Sequence, residues 1–210
     1  MPNLESMLRE QIAANGIDDE AILNAFILFP RELFVAEELV QKAYDDCPLP
    51  IGYGQTISQP FIVAFMLKML DVKPEHKVLE IGAGSGYQAA LLSALAQHVT
   101  AIELIPELYN IAKERLQQLN ITNATIINGD GYLGWEENAP YDRIIVAAAA
   151  PFVPNALLSQ LSPNGKMIIP VGKHMQTQML KIIEKDQDQN ISSKDSLSVR
   201  FVPLVRKSEF

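Results

Sequence analysis

Residues 78–86 read VLEIGAGSG, and they are the first place in the chain where residue type and spacing suggest chemistry. Gly82, Gly84 and Gly86 follow an apolar run that carries Glu80. Glycines at such a point permit a tight turn and let a ligand approach the backbone closely. A helix beginning near Tyr87 would aim its free N–H groups at the same ligand. Glu103 closes the next apolar run, 21 residues after Gly82. A carboxylate there can accept both hydroxyl protons of a ribose. A glycine turn alone would do no more than join a strand to a helix. Strand, turn, helix, strand and terminal carboxylate in this order favour a nucleotide-type ligand. The dinucleotide fingerprint needs a glycine at position 87, which is Tyr87, so the spacing argues against a nicotinamide cofactor. Asp130 and Gly131 end a third run in GDG. Asp before Gly is also an ordinary turn.

The remaining reactive side chains form no obvious centre. Cys47 is the only cysteine, so no internal disulfide is possible, and it reads as a plain thiol. His76, His98 and His174 are isolated, without metal-ligand spacing, so no metal is expected. Ser58 precedes Gln59 and Pro60 at the start of a helical pattern and reads as an N-cap. A helix start also favours an anion, so an acceptor carboxylate could bind beside it.

The elements that must position these residues fall into three stretches. Residues 1–70 comprise a helical N-terminal part and an acceptor loop: Leu4, Met7, Leu8 and Ile12 repeat at helical spacing up to Gly16, a second helix follows Asp18 or Asp19, and a third is expected over 37–46. Residues 47–58, CPLPIGYGQTIS, are punctuated by Pro and Gly and read as a loop. That loop carries no charged run, so it is expected to pack or to shape a pocket. A helix over 59–70 follows. From 77 to 172, near-continuous apolar strands alternate with helices, the pattern of a doubly wound α/β fold with a mostly parallel, covered sheet. The tail, 173–210, reads as an antiparallel hairpin of two strands, 178–186 and 197–205, around a long polar loop, 186–196. The whole is expected to be a single domain.

Bulk properties bound the partners. Formal charge is -8, with lysines scattered, so a large nucleic-acid substrate is disfavoured. No apolar run reaches the ~18 residues of a membrane helix, and Glu5, Arg9 and Glu10 interrupt any signal-peptide pattern. A cytoplasmic monomer is the simplest expectation.

The G-x-G-x-G spacing with Glu80 two residues ahead resembles the Rossmann-like methyltransferase form of the fold. That resemblance implies S-adenosylmethionine as cofactor, with Glu80 near its amino-acid end, Glu103 on the ribose, Asp130 facing the adenine amino group and the Gly131 N–H beside the ring. PLPIGYGQTIS followed by QPFIVA, together with PRELFVAEEL, NGDGYLGW, APYDRIIVAAAAP, LSPNGKMIIPVG and VRFVPLV, resembles the protein-L-isoaspartate O-methyltransferases over most of the chain. The resemblance implies methyl transfer to the α-carboxylate of L-isoaspartyl residues in damaged proteins, which begins their repair. It implies Ser58 as the active-site serine, its hydroxyl donating to the substrate carboxylate. Gln55, Thr56, Ile57 and Val202 are substrate-side candidates, Val202 being equally well explained by core packing. Ala147 stands where the family often has Thr, and Phe152 where it often has an acidic residue. A methyltransferase acting on a small molecule or RNA, and a non-catalytic module that binds the cofactor, remain the alternatives.

Overall fold

The computed structural model describes residues 2–173 and 176–206; His174 lies outside them. Helix α1 (Leu4–Ser6) starts at a capping box formed by Asn3 and Ser6, and the chain continues as a π-helix over Met7–Ile12. A 3-10 turn then ends at Gly16, whose φ of +81° needs a residue without Cβ. Asp19 caps α2 (Glu20–Leu28), accepting from the amides of Ala21 and Ile22. The third helix expected over 37–46 is instead a 3-10 turn, Glu37–Lys42, none of whose own side chains is buried; the buried Ala43 and Tyr44 follow it outside any helix. Another 3-10 turn, Arg31–Phe34, precedes it and is fully integrated in the core through Arg31 and Phe34.

The apolar loop is in fact a hairpin. Strand β1 (Leu49–Gly52) pairs antiparallel with β2 (Gln55–Ile57), joining Leu49 to Ile57 and Pro50 to Thr56. Gly52, Tyr53 and Gly54 all take positive φ at its tip. Two glycines in three residues signal such a turn. The proline at Pro50 hid the strand, since Pro is confined to edges, and this two-stranded sheet is all edge. Helix α3 (Pro60–Leu70) follows, with Pro60 at its permitted first position.

Among the described residues the main sheet has seven strands in the order β5-β4-β3-β6-β7-β8-β9, the last two being Gln178–Lys185 and Ile191–Val199. Strands β3 (Lys77–Ile81), β4 (His98–Glu103), β5 (Ala124–Asn128), β6 (Tyr141–Val146) and β7 (Leu161–Val171) are parallel. Helices α4 (Tyr87–Ser93), α5 (Pro106–Gln118) and α6 (Asn155–Gln160) lie between them. Alternate residues feed two cores. Val78, Val99, Ile145 and Ile168 join the core under the N-terminal helices, while Leu79, Ile81, Ile144 and Met167 join the other. Burial on both faces explains the unbroken apolar runs. The chain leaves β3 in one direction to β4 and β5, then returns to the other side at β6. Ligands bind at such a reversal, beyond the carboxyl ends of the strands.

The C-terminal hairpin is shifted from its expected register. Strands β8 (Gln178–Lys185) and β9 (Ile191–Val199) pair antiparallel around a short turn. Asp186 accepts from the Asn190 amide at 2.8 Å and so replaces the expected eleven-residue loop. β9 is polar because its first six residues are exposed, and an edge strand wet on both faces shows no alternation. Residues 200–205 leave the strand and cross the sheet's carboxyl end, bridged to Ala149 at Pro203.

Candidate active site

The glycine loop and β2 face each other across a cleft, a concave setting of the kind in which small ligands bind. Glu80, Gly82, Gly84, Glu103, Gly131, Gln55, Thr56, Ile57, Ser58 and Val202 all line it. Gly86 and Asp130 do not. Ten sequence candidates from five elements therefore converge on one space.

Each glycine has its own reason. Gly82 at φ +87° and Gly84 at φ +54° turn the chain off β3, and the Gly82 and Ala83 amides return to the Ile102 carbonyl. Gly86, at φ +83°, serves packing instead: a Cβ there would lie 3.0 Å from Leu116 and 3.3 Å from Ala112 on α5. A Cβ at Gly131 would lie 2.4 Å from the Ile81 side chain, so the loop after β5 seats against β3 only as glycine.

The two carboxylates differ in what they lack. Glu103 accepts from the Gly84 amide at 2.8 Å and from the Ile105 amide at 3.0 Å, one on each oxygen. Each oxygen keeps a lone pair for a ligand hydroxyl. Burial pushes its pKa up and those amides pull it down. Glu80 is wholly buried; Gln88 donates to its Oε1 at 3.2 Å, but Oε2 has no partner. Burial holds Glu80 well above the usual carboxylate range, with Glu103 nearby adding to the rise. A buried acceptor without a donor is costly and marks a place for one. The ammonium group of an S-adenosyl amino acid fits this acceptor in kind, and the hydroxyls of its ribose fit Glu103.

Asp130 is held as a cap. Its Oδ1 accepts from the Tyr132 amide at 2.9 Å and starts the 3-10 turn Gly131–Leu133. Beyond Glu103, Leu104, Ile105, Pro106 and Gly129 border a further recess.

A second groove lies on the other side of Ser58. It is bordered by Pro48, Gln59, Ile62 and the segment 198–202. Thr56, Ser58, Ala147 and Val202 line both spaces and form the wall between them. Val202 holds its place through its carbonyl, which accepts from the Ala149 amide at 2.8 Å. Phe152 lines neither space: it is 56 % exposed, its ring 6.5 Å from Tyr132. Gln55 donates at 3.4 Å to the Tyr53 carbonyl within the hairpin.

Ser58 is not the helix cap that its sequence position suggests. Gln59 is the N-cap of α3 and makes no side-chain cap bond. The reason is the proline at the next position, which starts the helix one residue later. The Ser58 carbonyl accepts from Arg31 at 3.0 Å. Arg31 and Gln88 are the residues that sequence reasoning missed. Gln88 carried a signal, an amide inside the Ala- and Leu-rich run of α4. Arg31 carried none, because its partners are backbone carbonyls 12 to 27 residues away.

Among the described residues no three His, Cys, Asp or Glu side chains form a metal cluster, and no helix is long and apolar enough to cross a membrane. Two solved protein-L-isoaspartate O-methyltransferases share this architecture at 29 % identity. One is from Plasmodium falciparum, in complex with S-adenosyl-L-homocysteine; it has a TM-score of 0.83 over 98 % of this chain and 99 % of that one. The other has a TM-score of 0.86 over 96 % of this chain, which spans 65 % of that longer one. The Vibrio campbellii protein-L-isoaspartate O-methyltransferase is 53 % identical over 92 % of each chain. A sequence model described as protein-L-isoaspartate(D-aspartate) O-methyltransferase matches residues 3–209, and on that match the chain belongs to this family.

Proposed function

We propose that the protein transfers a methyl group from S-adenosylmethionine to the α-carboxylate of L-isoaspartyl residues in proteins, with Ser58 at the acceptor. The observation that carries this reading is the shared wall. Ser58 borders both the cleft with the glycine loop and the separate groove beside residues 198–202. A donor on one side and a peptide on the other would meet there.

The bound donor supplies a methyl group already activated on a sulfonium. Everything else is positioning. Glu80 would take the ammonium of the donor's amino-acid end, Glu103 the ribose hydroxyls, and the Gly131 backbone would lie beside the base. Asp130 would contribute its remaining acceptor capacity at the adenine edge. The isoaspartyl carboxylate is ionised near neutral pH, so it needs no general base. Ser58 would donate its hydroxyl to one carboxylate oxygen and leave the other aimed at the methyl group. Gln55, Thr56 and Val202 would border the peptide, with Ile57 buried beneath them at 4 % exposure. Alignment and exclusion of water would supply most of the acceleration.

An open groove at the acceptor suits a polypeptide better than a small molecule, and the acidic net charge suits a protein better than RNA. The same charge and the absence of a membrane-crossing helix among the described residues support a soluble monomer working in the cytoplasm. The test uses two peptides that differ only in one isoaspartyl or aspartyl residue, with labelled methyl donor. Label in the isoaspartyl peptide alone is expected. Equal labelling, or none, would remove the assignment.

A further inference from the structure

We propose that Arg31 is a positioning residue for methyl transfer: it holds both peptide planes that flank Ser58 and, through the turn it begins, ties that serine to the glycine loop. The side chain is wholly buried, and its guanidinium meets carbonyl oxygens only. Nη1 donates to Ala43, and Nη2 donates to Cys47 at 3.0 Å, Ser58 at 3.0 Å and Ile57 at 3.4 Å. The Ile57 carbonyl belongs to the plane before the Ser58 Cα, and the Ser58 carbonyl to the plane after it. Fixing both fixes the backbone dihedrals of Ser58, and with them the direction of its Cβ, from which the hydroxyl has only three staggered positions. No cap bond does this work, since Gln59 is the uncapped N-cap.

The same turn reaches the donor side. Phe34, three residues on, packs at 5.0 Å against the ring of Tyr87, the first residue of α4. Arg115 lies over the Phe34 ring, 5.5 Å from its centroid, and donates at 2.7 Å to the Ser85 carbonyl inside the glycine loop. A path therefore runs from Ser58 to Arg31 by hydrogen bond, along the turn to Phe34, and by ring contact and hydrogen bond through Arg115 to Ser85. Among the described residues no carboxylate pairs with Arg31. A buried cation without a direct ion-pair partner, with Asp45 and Asp46 acting on it only from a distance, is an expensive fastener where apolar packing would serve. Its planar fork is what three or four carbonyls at fixed angles require, and a lysine offers no such fork.

The role rests on the function proposed above. The experiment measures kcat and KM for an isoaspartyl peptide, and the Kd of S-adenosyl-L-homocysteine, in wild type, Arg31→Lys, Ser58→Ala and the double variant. For Arg31→Lys, kcat/KM is expected to fall by about 10²-fold, the cost of a misplaced reacting group, with donor-site Kd within about threefold. In the Ser58→Ala background the same change should cost much less, because the group it positions is gone. Additive losses, or a lower melting temperature with undiminished turnover well below it, would reduce Arg31 to a structural tie. If Arg31→Lys does not fold, Phe34→Leu decides. It leaves the carbonyl bonds alone and is expected to raise peptide KM and donor Kd together, by about tenfold or less; neither moving overturns the link. A wild type that methylates no isoaspartyl peptide defeats the proposed function. An active wild type with an equally active Arg31→Lys defeats only the positioning role.

Discussion

The donor half and the acceptor half of the cleft are built in opposite ways. On the donor side, the glycine loop, Glu80 and Glu103 ride on the ends of adjacent parallel strands β3 and β4. The sheet ladder sets their spacing, and burial makes the polar groups expectant. On the acceptor side, Ser58 follows a two-stranded hairpin, and Ala147 and Val202 come from segments about 90 and 144 residues further along. No ladder spans the three. The hairpin is moored to the N-terminal core by Arg31, and Val202 is moored by its bond to Ala149. Strand ends deliver geometry at no extra cost, whereas an assembled wall needs tie points.

The largest expected effect separates the halves outright. Ser58→Ala should lower methyl transfer by about 10²-fold, as loss of one oriented donor does, while the donor-site Kd stays put. A matching loss of donor binding would mean the wall is not divided as described. Gly131→Ala should act on the donor half alone. Its Cβ would sit 2.4 Å from Ile81, so a shift of loop or strand is required. A stability loss of about 1–3 kcal/mol is expected, with weaker donor binding and peptide KM little changed, read by thermal melts and calorimetry.

Glu80→Gln tests the expectant character of the donor side, and its sign differs for folding and binding. Burial raises the folded-state pKa of Glu80 above its unfolded value. Its contribution to stability is therefore greatest below the unfolded value, ~4.3, and is lost as pH rises through the raised folded value. Glutamine removes that dependence. The variant should melt higher than wild type at neutral and alkaline pH, by about 2–4 °C for each kcal/mol relieved. The gap should close as pH falls toward the unfolded value. Donor binding should weaken by about tenfold or more, since a charged hydrogen bond is lost. A variant that melts no higher would show that Glu80 is already satisfied.

The smallest effect lies far from both halves. Lys181 and Asp195 pair across β8 and β9 at 2.5 Å on the exposed hairpin. Lys181→Ala should cost less than about 1 kcal/mol and leave both binding constants alone.

What could be read from the sequence follows the same division. Glu80, the glycines and Glu103 occupy a contiguous 24-residue stretch whose order is set by one strand-helix-strand unit, so the pattern points to the glycines and Glu103, and the resemblance adds Glu80. Asp130 was visible too, but its capping of the Gly131–Leu133 turn needed coordinates. Ser58 was located by resemblance and its local role misread, because Pro60 moved the cap to Gln59. Strand β9 was hidden for a physical reason: ISSKDSLSV faces water on both sides and has the composition of a loop. Arg31 was invisible because backbone carbonyls leave no residue pattern for a partner to match.

The unpartnered oxygen of Glu80 also has a thermal consequence. Burial favours the protonated form of this carboxyl, whereas an ammonium placed beside it favours the carboxylate. Uptake of the donor should then expel a proton into solution. The heat measured on mixing should vary with the ionisation enthalpy of the buffer, and the slope of that variation counts the protons released.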